Sequence, residues 1–173
     1  KPEQTTSFEI GTDLAFLQSK VSVDFSYYIN DSKNQILSIP IPNSTGYGFN
    51  TLNAGEIQNK GIELAMRGTP IRTSDFSWEL FGTFTKNKSN VLSLPNGVSQ
   101  VVIGGFSGMS IVAAKGYPYG EFYAVTNQTD AQGRTVINQA TGQPIPTATA
   151  QYLGSYQPKY QASFGTNVKY KGF

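Results

Sequence analysis

The sequence predicts an all-β protein: an antiparallel transmembrane β-barrel segment of about five strands, part of a larger barrel, with two long connections. Three observations carry this. Five segments alternate apolar and polar residues with a period of two. Their connections alternate between short and very long. The apolar side of the strands carries no acid, and its only formal charges, Lys60 and Lys86, fall at strand ends.

Neighbouring side chains of a strand point to opposite faces, so each segment can be read residue by residue. The first, 7–16, sets Phe8, Ile10, Thr12, Leu14 and Phe16 against Glu9, Gly11, Asp13 and Ala15. The second, 21–30, sets Val21, Val23, Phe25, Tyr27 and Ile29 against Ser22, Asp24, Ser26 and Tyr28. The third, 60–68, sets Ile62, Leu64 and Met66 against Gly61, Glu63, Ala65 and Arg67. The fourth, 76–87, sets Phe76, Trp78, Leu80, Gly82 and Phe84 against Ser77, Glu79, Phe81, Thr83 and Thr85. The fifth, 160–170, sets Tyr160, Ala162, Phe164, Thr166, Val168 and Tyr170 against Gln161, Ser163, Gly165, Asn167 and Lys169. Residues 17–20 and 69–75 are then tight turns, and 31–58 and 88–159 are long loops.

The same alternation suits a water-soluble β-sandwich, whose inward face is equally apolar. Aromatic placement favours the membrane. Phe16, Phe76, Trp78 and Tyr170 lie toward the short turns, and Phe8, Tyr27, Phe84 and Tyr160 toward the long loops. Between them the face is mostly aliphatic, interrupted by Phe25 and Phe164. Amphipathic rings favour both water interfaces of a bilayer. The opposite face mixes acids, bases, amides, hydroxyls and glycine, as a wet lumen would; Glu63, Arg67, Glu79 and Lys169 are its candidate lumen-facing charges.

Composition agrees. Charged residues are 14% of the 173 and aromatics 13%, against about 25% charged in ordinary globular domains. A net charge of +2 argues for neither nucleic acid nor anionic lipid as a partner. No apolar run is long enough for a membrane helix, which barrel strands do not need. Without Cys there is no thiol chemistry, and without His no Ser-His-Asp arrangement. The start is not a signal peptide, so an export signal is expected elsewhere. Counting back by twos from Phe173 reaches Lys171 and Lys169, the wrong phase for a terminal barrel strand. Five strands do not close a transmembrane ring, so the stretch is expected to belong to a longer chain.

Five stretches carry a family resemblance: KPEQTTSFEIGTDLAF (1–16), NAGEIQNKGIELAMRGTPI (53–71), DFSWELFGTFTKNKSNVLSL (75–94), KGYPYGEFYAV (115–125) and YLGSYQPKYQASFGTNVKYKGF (152–173). In this order they resemble the signatures of SusC/RagA-type TonB-dependent transporters. The resemblance implies the C-terminal half of a 22-stranded, plugged outer-membrane barrel, with plug and closing strands outside this stretch. It implies short turns facing the periplasm and 31–58 and 88–159 facing outward. It also implies energy-dependent import of oligosaccharide or peptide, a SusD-like lipoprotein lid, TonB acting through the plug, and contact with outer-membrane lipid. Many relatives carry an acidic run where this chain has TDAQGRTVIN (129–138), with Asp130 its one acid. A Ca²⁺ site needs several oxygens, so no metal is expected there. No cofactor is expected either.

Glu9, Asp13, Asp24, Glu63 and Glu79 could pair across strands as in glycosidases, or be solvated side chains paired with Arg67 or Lys169. The second reading is preferred, and no catalytic residue is assigned. No phosphate loop is present, and the Asn-x-Ser/Thr matches are chance. The loops hold two apolar clusters. One contains Ile39 and Ile41 within ILSIPIP (36–42), followed by Tyr47 and Phe49. The other contains 101–103 with Tyr117, Tyr119, Phe122 and Tyr123. They are candidate contacts for a partner subunit or substrate, or they pack on each other. The second loop is expected to hold hairpins around 130–133 and 142. Two other functions stand beside transport: a passive porin-like channel, and a soluble carbohydrate-binding or adhesive β-domain.

Overall fold

The computed structural model describes residues 2–40, 46–47, 49–53 and 55–172. Its strands are β1 (Gln4–Phe16), β2 (Val21–Lys33), β3 (Ile36–Pro40), β4 (Phe49–Asn53), β5 (Glu56–Arg72), β6 (Phe76–Ser93), β7 (Gln100–Phe106), β8 (Met109–Ala114), β9 (Glu121–Ala124), β10 (Gln151–Ser155) and β11 (Gln161–Tyr170). The chain divides into two compact units. The first holds Lys1–Gln35, Glu56–Ser89 and Pro158–Phe173; the second holds Ile36–Gly55 and Asn90–Gln157.

The first unit is a five-stranded sheet in the order β1-β2-β5-β6-β11. Its antiparallel registers put every alternating set on one side. Phe8 stands opposite Ile29, Ile10 opposite Tyr27 and Leu14 opposite Val23. Phe25 stands opposite Leu64 and Val23 opposite Met66. Thr166 stands opposite Leu80, and Val168 opposite Trp78. Directly opposed residues share a face, so the apolar positions of five strands form one continuous surface.

That surface is uncovered. Phe8 is 58% exposed, Ile10 60% and Phe164 77%. All the buried hydrophobic residues among those described, Val91, Val101, Val112, Ala113, Ala114 and Ala124, belong to the second unit. A soluble sandwich would seal this face as its core. Here nine residues of β1, Phe8 to Phe16, run about 27 Å at ~3.4 Å per residue. With a strand tilt of about 40° that length rises ~21 Å, most of the ~25 Å apolar belt of a membrane barrel.

Two polar side chains on the apolar face, Trp78 and Thr166, are satisfied within the sheet, as a lipid-facing wall requires. Trp78 Nε1 donates to Thr166 Oγ1 at 2.9 Å, and that hydroxyl donates to the Glu79 carbonyl at 3.1 Å. Beyond the belt the same side turns polar. Asp31 stands opposite Gln58, and Gln58 Nε2 donates to its Oδ1 at 2.9 Å. One step further, Lys33 and Glu56 form an ion pair at 3.2 Å.

Several strands exceed the sequence reading. β5 covers 56–72 where 60–68 is expected, and β6 runs to Ser93 where 87 is expected. Ladder hydrogen bonds continue past the apolar belt, where hydropathy no longer marks them. The turn at 17–20 holds three successive left-handed residues, Leu17, Gln18 and Ser19, with Lys20 N donating to Leu17 O at 3.3 Å. At 73–75 the turn closes through Thr73, whose N donates to Phe76 O at 2.7 Å and whose Oγ1 accepts from Phe76 N at 3.0 Å.

The two long connections are not plain loops: among the described residues they hold six strands, β3, β4 and β7 to β10. The ILSIPIP stretch, read as loop, supplies β3, which pairs with β4 through Ile36 opposite Asn53. β10-β9-β8-β7 form a four-stranded sheet. Val101, expected in an exposed apolar cluster, is 2% exposed in its core. The end of β6 joins this unit: Val91 N donates to Tyr117 O at 2.9 Å, and Gly116 N to Val91 O at 2.8 Å.

Gly120 is the tightest backbone position of the second unit. Its φ is +87°, and a Cβ there would enter the Tyr156 ring. Gly120→Ala is expected to destabilise this unit by about 2 kcal/mol, read as faster amide exchange in β8 and β9 of the full-length protein. Adding Tyr156→Ala removes the collision but not the φ strain, and should restore part of the protection.

Candidate functional site

The polar side of the first unit is the first candidate surface. Glu9, Ser26, Tyr28, Asn30, Asn59, Glu63 and Asn87 line a concavity of about 420 Å³ on it. Alternation brings these residues together: Glu9 stands opposite Tyr28, Ser26 opposite Glu63, and Asn30 between Ser7 and Asn59. Tyr28 lies across Gly61, where a Cβ would meet its hydroxyl at 2.6 Å. The Tyr28 hydroxyl donates to Asn87 Oδ1 at 3.3 Å. Phe81 covers Gly165 in the same manner. Rings laid over cross-strand glycines fix register at these two points. The surface offers amides, carboxylates and hydroxyls, and no imidazole or thiol.

Of the four candidate charges, Arg67 and Glu79 meet at 3.8 Å. Glu79 Oε1 also accepts from Asn167 Nδ2 at 3.3 Å. Glu63 lies on the same side within the concavity, and Lys169 stands opposite Ser77. Asp13 and Asp24 are directly opposed across β1 and β2. Among the described residues no three acidic groups are gathered closely enough to hold a metal ion.

The second candidate is the aromatic cluster of the second unit. Tyr152 stacks on Tyr117 with centroids 4.0 Å apart and meets Tyr123 at 5.0 Å. Its hydroxyl donates to Gln100 Oε1 at 2.9 Å. Burial, then Tyr123, Tyr117 and Glu121 nearby, raise this phenol above its ordinary range. Tyr119 is raised by burial and by Tyr156. Glu121, 5% exposed, accepts the Gly154 N–H at 2.6 Å across the β9–β10 bulge. Phe122 stands opposite Ile111 and is half-buried.

The structure thus joins Tyr117 and Tyr123 through Tyr152, a residue the sequence reading passes over. Its signal is weak: it sits in a short strand without a long alternating run, far along the chain from Tyr117 and Tyr123. Tyr47 is strongly exposed. Ile39 and Phe49 lie in β3 and β4, with nothing described of their side chains, and Ile41 lies outside the described residues.

The third local feature is the segment 126–147, which forms the two expected tight turns. Gly133 N donates to Asp130 O at 2.9 Å, and Gly142 N to Asn138 O at 2.8 Å. Asp130 Oδ1 accepts from Gln132 N and Arg134 N, each at 2.9 Å, and Oδ2 accepts from Arg134 Nε at 2.8 Å. These bonds, led by the Arg134 N–H, hold its carboxyl below the ordinary carboxylate value of 3.8.

The first unit is a barrel wall: a sheet with one hydrocarbon-facing side and one wet side. The family model described as "TonB dependent receptor-like, beta-barrel" matches residues 1–173. The chain belongs to this family of bacterial outer-membrane proteins. TonB-dependent receptor P3 of Formosa agariphila is 24% identical over all of this chain, which covers 20% of that protein. TonB-dependent receptor SusC of Bacteroides thetaiotaomicron is 27% identical over 80% of the chain and 15% of its own length. Among solved structures, that of the RagAB peptide transporter superposes with a TM-score of 0.78 at 19% identity, over 98% of this chain and 20% of that one. The RagAB peptide importer in its closed-closed state gives 0.77 at 18% identity, with the same coverage. The chain therefore spans about a fifth, or less, of the length of its curated relatives. The SusC/RagA-type assignment read from the motifs stands, and the free-standing soluble-domain reading falls with the family match and the uncovered apolar face.

A depressed carboxyl stabilises the fold above its unfolded value of about 3.8, and that stability is lost as pH falls through the lower folded value. The turn at 130–134 is therefore expected to hold at pH 4 and loosen below it. Arg134→Ala should move the loosening upward in pH. Amide exchange of Gln132 and Arg134 across a pH series checks both.

Proposed function

We propose that this chain is the wall section of an outer-membrane active importer for large nutrients, glycan or peptide oligomers, driven by TonB and capped by a SusD-like surface lipoprotein. The observation that carries the reading is the uncovered apolar face of the first unit, together with the family match over the whole chain. A surface of this kind is stable only against hydrocarbon. SusC and the RagAB peptide transporter are similar to this chain, which supports TonB-dependent import, with peptide as one class of cargo.

In this reading the polar side, with Glu63, Arg67, Glu79 and Lys169, lines the barrel interior. Its amides and hydroxyls hydrogen-bond a hydrated cargo or the plug. The short turns at 17–20 and 73–75 face the periplasm. The second unit faces outward, where Tyr47, Tyr117, Tyr119, Phe122 and Tyr123, with Ile39, Ile41 and Phe49, meet the lid or the cargo. Aromatic faces suit sugar rings and peptide side chains alike. The chain's role is positioning; no residue in it performs bond chemistry.

Active import differs from passive passage in its energy source. Cells producing the full-length protein should take up a fluorescent oligosaccharide or oligopeptide, and a protonophore should stop that uptake. Purification of the protein from those cells should bring a surface lipoprotein with it. Uptake that persists with the protonophore would establish a passive channel instead.

A further inference from the structure

The apolar face of the first unit contains a notch. Gly68 on β5 and Gly82 on β6 both lie in the apolar phase, and with Val21, Met66, Leu80 and Phe164 they bound an apolar depression of about 310 Å³. A Cβ built on Gly68 meets nothing within 4 Å, so the depression there is open space. A gap in a lipid-facing wall forfeits dispersion contacts unless something fills it.

The same phase of β5 continues through Pro70 to Arg72, toward the short-turn end. Four residues at ~3.3 Å each place Arg72 about 13 Å from Gly68 along the strand. Arg72 is exposed, and among the described residues it takes part in no ion pair. Phe16, Phe76 and Tyr170, the aromatics of this end, mark the depth at which hydrocarbon gives way to headgroups. A guanidinium fork there matches a phosphate.

We propose that the notch seats one acyl chain of an anionic phospholipid whose phosphate is held by Arg72. The occupant is a phospholipid because the short-turn end of a barrel faces the periplasmic leaflet, an orientation that rests on the proposed function. The apolar lining recognises the chain, and the Arg72 cation favours a lipid of net negative charge over a zwitterionic one. Neither requires a protein partner.

The test uses the full-length protein in mild detergent, titrated with phosphatidylglycerol or phosphatidylethanolamine and examined by native mass spectrometry. One phosphatidylglycerol should remain bound at activation energies that strip phosphatidylethanolamine. Gly68→Phe fills the notch and should lower retention about tenfold, a loss of ~1.4 kcal/mol. Arg72→Gln should retain lipid but lose the headgroup preference. Ala162→Phe, on the same face toward the long-connection end, should change neither. Equal retention by the unaltered protein and Gly68→Phe, or an unchanged preference in Arg72→Gln, overturns the proposal. If Gly68→Phe does not assemble, the headgroup preference of Arg72→Gln decides alone. Failure here with protonophore-sensitive uptake intact leaves the importer reading standing.

Discussion

Burying apolar surface is worth about 25 cal/mol per Å², and five strands of this chain leave theirs uncovered on one side. Everything else in the first unit follows from that. The sheet cannot rest in water with Ile10, Leu14, Met66, Phe164 and Val168 exposed, so its solvent is hydrocarbon. Hydrocarbon in turn leaves no backbone or side-chain polar group without an internal partner. The antiparallel ladder meets that demand for the backbone of the inner strands β2, β5 and β6, and the Trp78–Thr166–Glu79 relay meets it for an indole on the lipid side. Where water returns, so do charges: Lys60, then Asp31, then the Lys33–Glu56 pair.

The second unit obeys the opposite rule. It has a small dry core, built from Val91, Val101, Val112, Ala113, Ala114 and Ala124. Short side chains let its strands approach closely, and the larger rings gather as the Tyr117–Tyr152–Tyr123 stack. One chain thus folds against two solvents, and the change of rule falls near Ser89, within β6. Glycine serves both rules at close approaches: Gly61 and Gly165 beneath rings on the polar side, and Gly120 beneath Tyr156.

Face assignment was legible in the sequence because a period of two is unforgiving: a one-residue slip would have put Glu9 and Glu63 into lipid. Turns were legible by rhythm alone; Leu17, Gln18 and Ser19 carry no glycine to announce a left-handed run. Strand ends were hidden because Asp31, Lys33 and Glu56 stay in the ladder after the apolar signal stops. The second unit was hidden for a different reason. Its strands are short, and bulges at Val102/Gly104 and Tyr152/Gly154 break the period. The aromatic cluster was half visible: Tyr117 and Tyr123 stood out, while Tyr152, which joins them, is placed by long-range pairing of β9 with β10.

Adjacent residues of β5 decide the matter most directly. In the full-length protein reconstituted into liposomes, a spin label at position 64 should collide readily with dissolved oxygen and rarely with a water-soluble nickel chelate. A label at position 63 should show no such lipid signature. Nickel access at position 64, or shielding of that position from both reagents, would contradict the claim that this side of the sheet faces the membrane.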